Sequence, residues 1–89
     1  MLRITETFDK NNTVRLRLDG TISETSFADL QEVFARHDGN PLQIILLDMA
    51  GVIFMNDRAA MKMVQLRSDR VRIINCSPFI ETLLQTVEG

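Results

Sequence analysis

Gln43-Ile44-Ile45-Leu46-Leu47 places four large apolar side chains on consecutive positions with no polar residue between them. A strand of that kind has no face to give to water, so the run suits a central strand covered on both faces. The chain has 89 residues and reads as a single domain over 1–89. A domain of that size buries only about 60 to 65% of its unfolded surface, so one such strand organises everything around it.

On the N-terminal side, Leu2, Ile4 and Phe8 recur at period two. Val14, Leu16 and Leu18 alternate strictly with Arg15 and Arg17. Asp9-Lys10-Asn11-Asn12 between them has turn chemistry, and Asp19-Gly20 closes the second segment, which predicts a β-hairpin half exposed to water. Phe27, Leu30, Val33 and Phe34 then follow a helical spacing, with Ser26 as the expected N-cap and Asp29 completing a capping box. Gly39-Asn40-Pro41 ends that helix.

C-terminal to the apolar run, Ala60, Met63 and Val64 mark a second helix reaching Leu66 or Arg67, and Val71-Arg72-Ile73-Ile74 a short strand. Ser77-Pro78 reads as N-cap and first helical residue of a last helix, with Ile80, Leu83, Leu84 and Val87 on one stripe. The order ββαβαβα specifies an α/β fold, a mixed sheet with helices packed against it through right-handed crossovers.

Composition narrows the function. Hydrophobic residues are 45% of the chain and charged residues 25%, the balance of a globular protein. The net charge is −2 with the ten basic residues scattered, so no basic stripe is available to neutralise nucleic-acid phosphates. No apolar run approaches the roughly 20 residues that span a bilayer. The N-terminus lacks the apolar core of a signal peptide, and the single cysteine forms no internal disulfide. These features suit a cytoplasmic protein that does not insert into a membrane.

The junction at residues 46–64, LLDMAGVIFMNDRAAMKMV, concentrates the polar chemistry. Asp48 interrupts the apolar run, and Asn56-Asp57-Arg58 stands where strand gives way to helix. Loops leaving the C-terminal ends of strands are where α/β sheets usually meet ligands and partners. The first turn of a helix has unpaired N–H groups and a partial positive charge, so Asn56 as N-cap and Asp57 as a first-turn acid account for themselves locally.

The same stretch resembles the STAS domain, the module of sulphate transporters and bacterial anti-sigma-factor antagonists. The resemblance runs through Leu16-Arg17-Leu18-Asp19-Gly20, then Leu47 to Ala59, then Ile73-Ile74-Asn75-Cys76-Ser77-Pro78. In that family, a strand ending in Asp leads to Asp-Ser-Ser-Gly opening a helix, and the first serine is phosphorylated by a kinase that doubles as an anti-sigma factor. Here Asn56, Asp57, Arg58 and Ala59 occupy those four positions, and none keeps the family residue. The resemblance therefore implies a phosphosite whose hydroxyl is replaced by a permanent carboxylate. Phosphoserine carries about −1.5 to −2 charge and three acceptor oxygens, against −1 and two for aspartate. Ala59 for glycine is expected to thicken the backbone a partner approaches, and Arg58 to pair with Asp57 or a partner's acid. Only Met61 to Asp69 separate the helix start from the next strand, which implies a clipped second helix.

Other residues carry less. His37 at a helix end reads as a surface cap on the negative dipole pole rather than a general base. Cys76 has no cationic neighbour in sequence and reads as a half-buried apolar residue. A triad of His37, Cys76 and Asp48 would draw on three elements with no motif around any of them. Met61 and Met63 lie on different sides of their helix, so one is exposed beside Asp57. One His and one Cys hold no metal, and no glycine-rich phosphate loop is present, so neither a cofactor nor an enzyme is expected.

The reading that results is a non-catalytic regulatory module that binds a protein through Asp57, Asn56, Arg58, Asp48, Ala59 and Met61. The resemblance implies as its partner an anti-sigma factor and serine kinase of the ATP-binding type, in a bacterial partner-switching pathway that regulates transcription. Its alternative is an accessory STAS subunit docked on the ATPase of an ABC-type lipid transporter.

Overall fold

The structure is a computed structural model that describes residues 1–88, the side chain of Asp38 excepted; Gly89 lies outside the described residues. Its elements are β1 (Leu2–Asp9), β2 (Thr13–Ile22), α1 (Glu24–Asp38), β3 (Ile44–Met55), α2 (Asp57–Leu66), β4 (Val71–Ile74) and α3 (Pro78–Glu88). This is the expected ββαβαβα order. The four strands form one sheet in the order β1-β2-β3-β4. β1 runs antiparallel to β2, and the pairs β2–β3 and β3–β4 are parallel. The mixed sheet with packed helices follows from the crossovers that α1 and α2 make.

The hairpin turn places Asn11 and Asn12 at φ 64° and 58°. Two successive left-handed residues make a turn whose twist matches the flanking strands, and asparagine tolerates that region better than most side chains. The second strand does not stop at Asp19-Gly20 as expected. Gly20 sits at φ 107° with the Met1 carbonyl where a Cβ would be, and the strand continues through it to Ile22.

Coverage of the central strand differs from the expectation. Val14, Leu16 and Leu18 of β2, Ile45, Leu47 and Met49 of β3 and Val71 of β4 are buried, and they share one core with Phe27, Leu30, Ala59, Ala60, Met63, Ile80 and Leu84 of the three helices. Ile44, Leu46 and Ile74 are half-buried and are not among the partly buried residues packed against that core. The helices therefore cover one face of the sheet. The continuous apolar run satisfies the other face with half-buried aliphatics flanked by Arg15 and Arg72, its register neighbours at Leu46.

β3 is also longer than the apolar run, 12 residues from Ile44 to Met55. It carries one extra residue relative to β2 at two places, between the pairs Arg17↔Asp48 and Asp19↔Gly51 and between Gly20↔Val52 and Thr21↔Phe54. Each bulge shifts the side-chain alternation by one position. At Gly51 a Cβ would meet the Leu18 carbonyl of β2 at 2.9 Å as well as the movable Asp19 carboxylate, so the close approach of the two strands favours glycine there.

Helix ends follow sequence chemistry with one correction. The N-cap of α1 is Ser23, not Ser26. Ser26 is the third helical residue, and its hydroxyl accepts from the Ser23 N–H at 2.8 Å while Ser23 caps the Ser26 N–H. A hydroxyl at both positions builds the reciprocal box, and Asp29 has no part in it. α3 starts as expected, with Ser77 Oγ accepting from the Ile80 N–H at 3.3 Å.

Candidate partner-docking site

The six residues expected at the site separate into two groups. Asn56 caps α2, its Oδ1 accepting from the Ala59 N–H at 2.8 Å, and its own N–H donates to the Ile22 carbonyl at the end of β2. The strand is thereby tied to the helix start, and Asp57 becomes the first helical residue. Asp57 is exposed, and its carboxylate makes no hydrogen bond or ion pair among the described residues. Arg58 does not pair with Asp57. Its Nη1 lies 3.5 Å from Glu24 Oε1 and links α2 to the first turn of α1. Met61 is exposed one turn further on, while Met63 is fully buried, as their spacing requires.

Ala59 and Asp48 lie elsewhere. Ala59 is fully buried, so its methyl group packs into the core instead of thickening a docking surface. Asp48 is not at a strand end. It lies in the middle of β3 and is 4% exposed. Its Oδ1 accepts from the Ala50 N–H at 3.0 Å and from Asn75 Nδ2 at 3.1 Å, and its Oδ2 lies 3.3 Å from Arg15 Nη1. Burial pushes its carboxyl pKa up. The Ala50 N–H, the Asn75 amide and Arg15 outweigh burial and bring it below the ordinary 3.8. Asp48 thus joins β2, β3 and the end of β4, where Asn75 adopts φ 58° to reach it. No partner has access to it.

Two aromatic residues that the sequence reading passed over stand beside Asp57. Phe54 and Phe79 are 49% and 56% exposed, and their rings stack with centroids 6.4 Å apart at 23°. They line a shallow groove with Glu24, Asn56, Asp57, Arg58 and Leu83. Phe54 is turned outward by the second bulge in β3. Phe79 precedes Ile80 and falls off the stripe that Ile80, Leu83, Leu84 and Val87 define, which was the available signal. Large apolar residues exposed as a contiguous group mark an interaction surface more often than isolated ones do.

The remaining candidates have structural surroundings. His37 is not a surface cap. It is buried, with Nε2 2.8 Å from Glu6 Oε2 and its ring edge-on to Phe8 at 5.9 Å. The α1 stripe turns it toward β1, where Glu6 shares the inward face with Leu2 and Ile4. Cys76 is half-buried, as expected, and burial followed by the Glu81 carboxylate pushes its thiol pKa above 9.0. His37, Cys76 and Asp48 each bond or pack within their own surroundings, and no contact among them occurs. Among the described residues, no group of three His, Cys, Asp or Glu side chains is placed to hold a metal, and no buried side-chain nitrogen or oxygen lacks a partner. No helix among them is long and apolar enough to cross a membrane.

With the geometry in place, the solved structure of the anti-sigma factor antagonist SpoIIAA in its unphosphorylated form superimposes on this one with a TM-score of 0.67. The match covers 93% of this chain and 82% of that chain. The chain has a STAS fold. At 16% identity the likeness is one of fold. No protein-family model matches the chain, and no curated protein matches it in sequence. In this fold, Asp57 is the first residue of α2, at the junction where β3 gives way to the helix.

Proposed function

We infer that this STAS-fold chain is a non-catalytic regulatory module that captures a protein partner at the start of α2, in the manner of an anti-sigma factor antagonist. The observation that carries the reading is the pairing of an unbonded carboxylate, Asp57, with the stacked Phe54–Phe79 surface beside it. An interface of this kind draws its affinity from the buried aromatic pair and its specificity and on-rate from the rim charges. Asp57 and Arg58 supply that rim, and Met61 adds an adaptable apolar contact. The partner that the family resemblance favours is an anti-sigma factor and serine kinase of the ATP-binding type, met in the cytoplasm. Asp57 offers no hydroxyl, so phosphorylation does not switch this position, and its charge is the fixed counterpart of a phosphoserine.

The test is capture of such a kinase on immobilised protein. Phe54→Ala with Phe79→Ala is expected to weaken capture by at least about tenfold, the scale of losing two aromatic anchors, while the thermal melt stays close to wild type. Wild-type protein is expected to take up no phosphate from that kinase, and Asp57→Ser to accept it. Unchanged capture by the double variant, or phosphate on the wild-type α2 start, would overturn the reading.

A further inference from the structure

β1 is hydrogen-bonded on one side only, to β2, and forms a free edge of the sheet. A free edge presents a row of unpaired N–H and C=O groups, and proteins blunt such edges with proline, lysine, bulges or inward-pointing charge. The stretch Leu2–Asp9 contains no proline, glycine or lysine, and its register with β2 runs through eight consecutive pairs without a shift. Its one inward charge is Glu6, and that carboxylate is already engaged. Oε2 lies 2.8 Å from His37 Nε2 and Oε1 lies 3.4 Å from Arg36 Nη2. Phe8 on the same strand is 69% exposed, and Arg3 makes no ion pair among the described residues.

The strand is also complementary to itself. Antiparallel pairing sets opposite residues on the same face, where they interact directly. A two-fold axis normal to the sheet and centred on Glu6 puts Arg3 opposite Asp9 of a second copy, Thr5 opposite Thr7 and Ile4 opposite Phe8. The axis repeats each pair. On the open face this register gives two Arg–Asp pairs flanking two Thr–Thr pairs, Arg3 joining an Asp9 carboxylate whose Oδ2 lies 3.7 Å from Arg15 Nε of its own protomer. On the helix-covered face it gives two Ile–Phe pairs that cover the exposed ring. Glu6 meets Glu6 of the second copy at the axis, with each carboxylate drawn into its own protomer by Arg36 and His37. A register centred on Thr5 instead sets Arg3 against Thr7 and Ile4 against Glu6 and loses the charge pairing. We propose that β1 is a homodimerisation edge, joining two copies antiparallel through residues 3–9 into one continuous sheet.

The experiment is sedimentation equilibrium on the whole chain over a concentration series from micromolar to near-millimolar. Wild type is expected to dimerise. Arg3→Asp and Asp9→Arg, each alone, set like charges opposite each other twice and are expected to weaken the dimer by about tenfold or more. The double variant R3D/D9R restores the pairing between copies with its signs exchanged but sets the new guanidinium beside Arg15, and it is expected to dimerise more tightly than either single variant. Register is read separately in a Cys76→Ala background. Thr5→Cys with Thr7→Cys is expected to yield a disulfide-linked dimer on mild oxidation, and Thr5→Cys alone is not. A wild type that stays monomeric throughout, a dimer indifferent to Arg3→Asp, or efficient linking by Thr5→Cys alone would overturn the proposal.

Discussion

Two aspartates nine positions apart in sequence, at either end of the junction between β3 and α2, have opposite surroundings. Asp48 is 4% exposed, and its two oxygens serve three partners on three stretches of chain. Asp57 is exposed on the first residue of α2 and is bonded to nothing among the described residues. A buried carboxylate costs several kcal/mol of lost hydration unless it is paired, so Asp48 exists in the sheet only because Arg15, Asn75 and the Ala50 N–H converge on it. Asp57 keeps its water and gains a little from the helix dipole, which leaves its charge available to a partner. The same residue type is a structural tie in one place and an exposed, unpaired charge in the other.

Mutations sharpen this comparison, and the core sets the upper end of the scale. Ile45→Ala removes a side chain that is 1% exposed on the central strand, and denaturant melts are expected to show a loss of about 2 to 5 kcal/mol from the cavity. Asp48→Ala removes the shared acceptor of the Ala50 N–H, Asn75 and Arg15, of which Arg15 keeps Asp9 at 3.7 Å, and is expected to cost about 1 to 3 kcal/mol in the same assay. An Asp48 variant with wild-type stability would remove the distinction between the two aspartates.

Asp48 also leaves a signature in pH. Its folded pKa lies below its unfolded value, so the folded state binds the proton less readily than the unfolded chain. Its stabilising contribution is present above the unfolded pKa and drains as pH falls through the folded one. Asp48→Asn is expected to flatten the acid limb of a melting-temperature profile below the ordinary carboxyl value of 3.8.

The α2 start gives smaller effects on stability. Asn56→Ala loses the cap on the Ala59 N–H and is expected to cost about 1 kcal/mol. Asp57→Ala is expected to cost less than about 1 kcal/mol. Arg58→Glu, smallest of all, is expected to shift stability by only a few tenths of a kcal/mol while slowing association with the captured partner. Losses of binding without losses of stability would place the recognition function at Asp57 and Arg58. The reverse pattern would make Asp57 an ordinary first-turn acid.

Much of the fold was legible because periodicity and cap chemistry are local. Alternation at Val14, Leu16 and Leu18, the stripe from Ile80 to Val87, and Ser77-Pro78 each depend on neighbours within a turn or a pleat, and each appears where it was read. The candidate site was legible in part. Asn56, Asp57, Arg58 and Met61 were placed at an exposed helix start from spacing and resemblance, whereas Ala59 and Asp48 were assigned to a surface they do not reach. Phe54 escaped notice because a bulge, not the strand period, decides which way it points. His37 was read from its helix end alone, yet its partner Glu6 lies 31 residues away on β1.

The sequence by itself determined the element order, the α/β class and the carboxylate at the α2 start, since each is written in residue types a few positions apart. Tertiary structure alone decided which face of the sheet the helices cover, because a continuous apolar run fits a strand covered on one face or on two. It also decided which aspartate is buried. Burial of a charge depends on whether distant donors converge on it, and Arg15, Asn75 and the Ala50 amide are brought together only when β2, β3 and β4 pair in register.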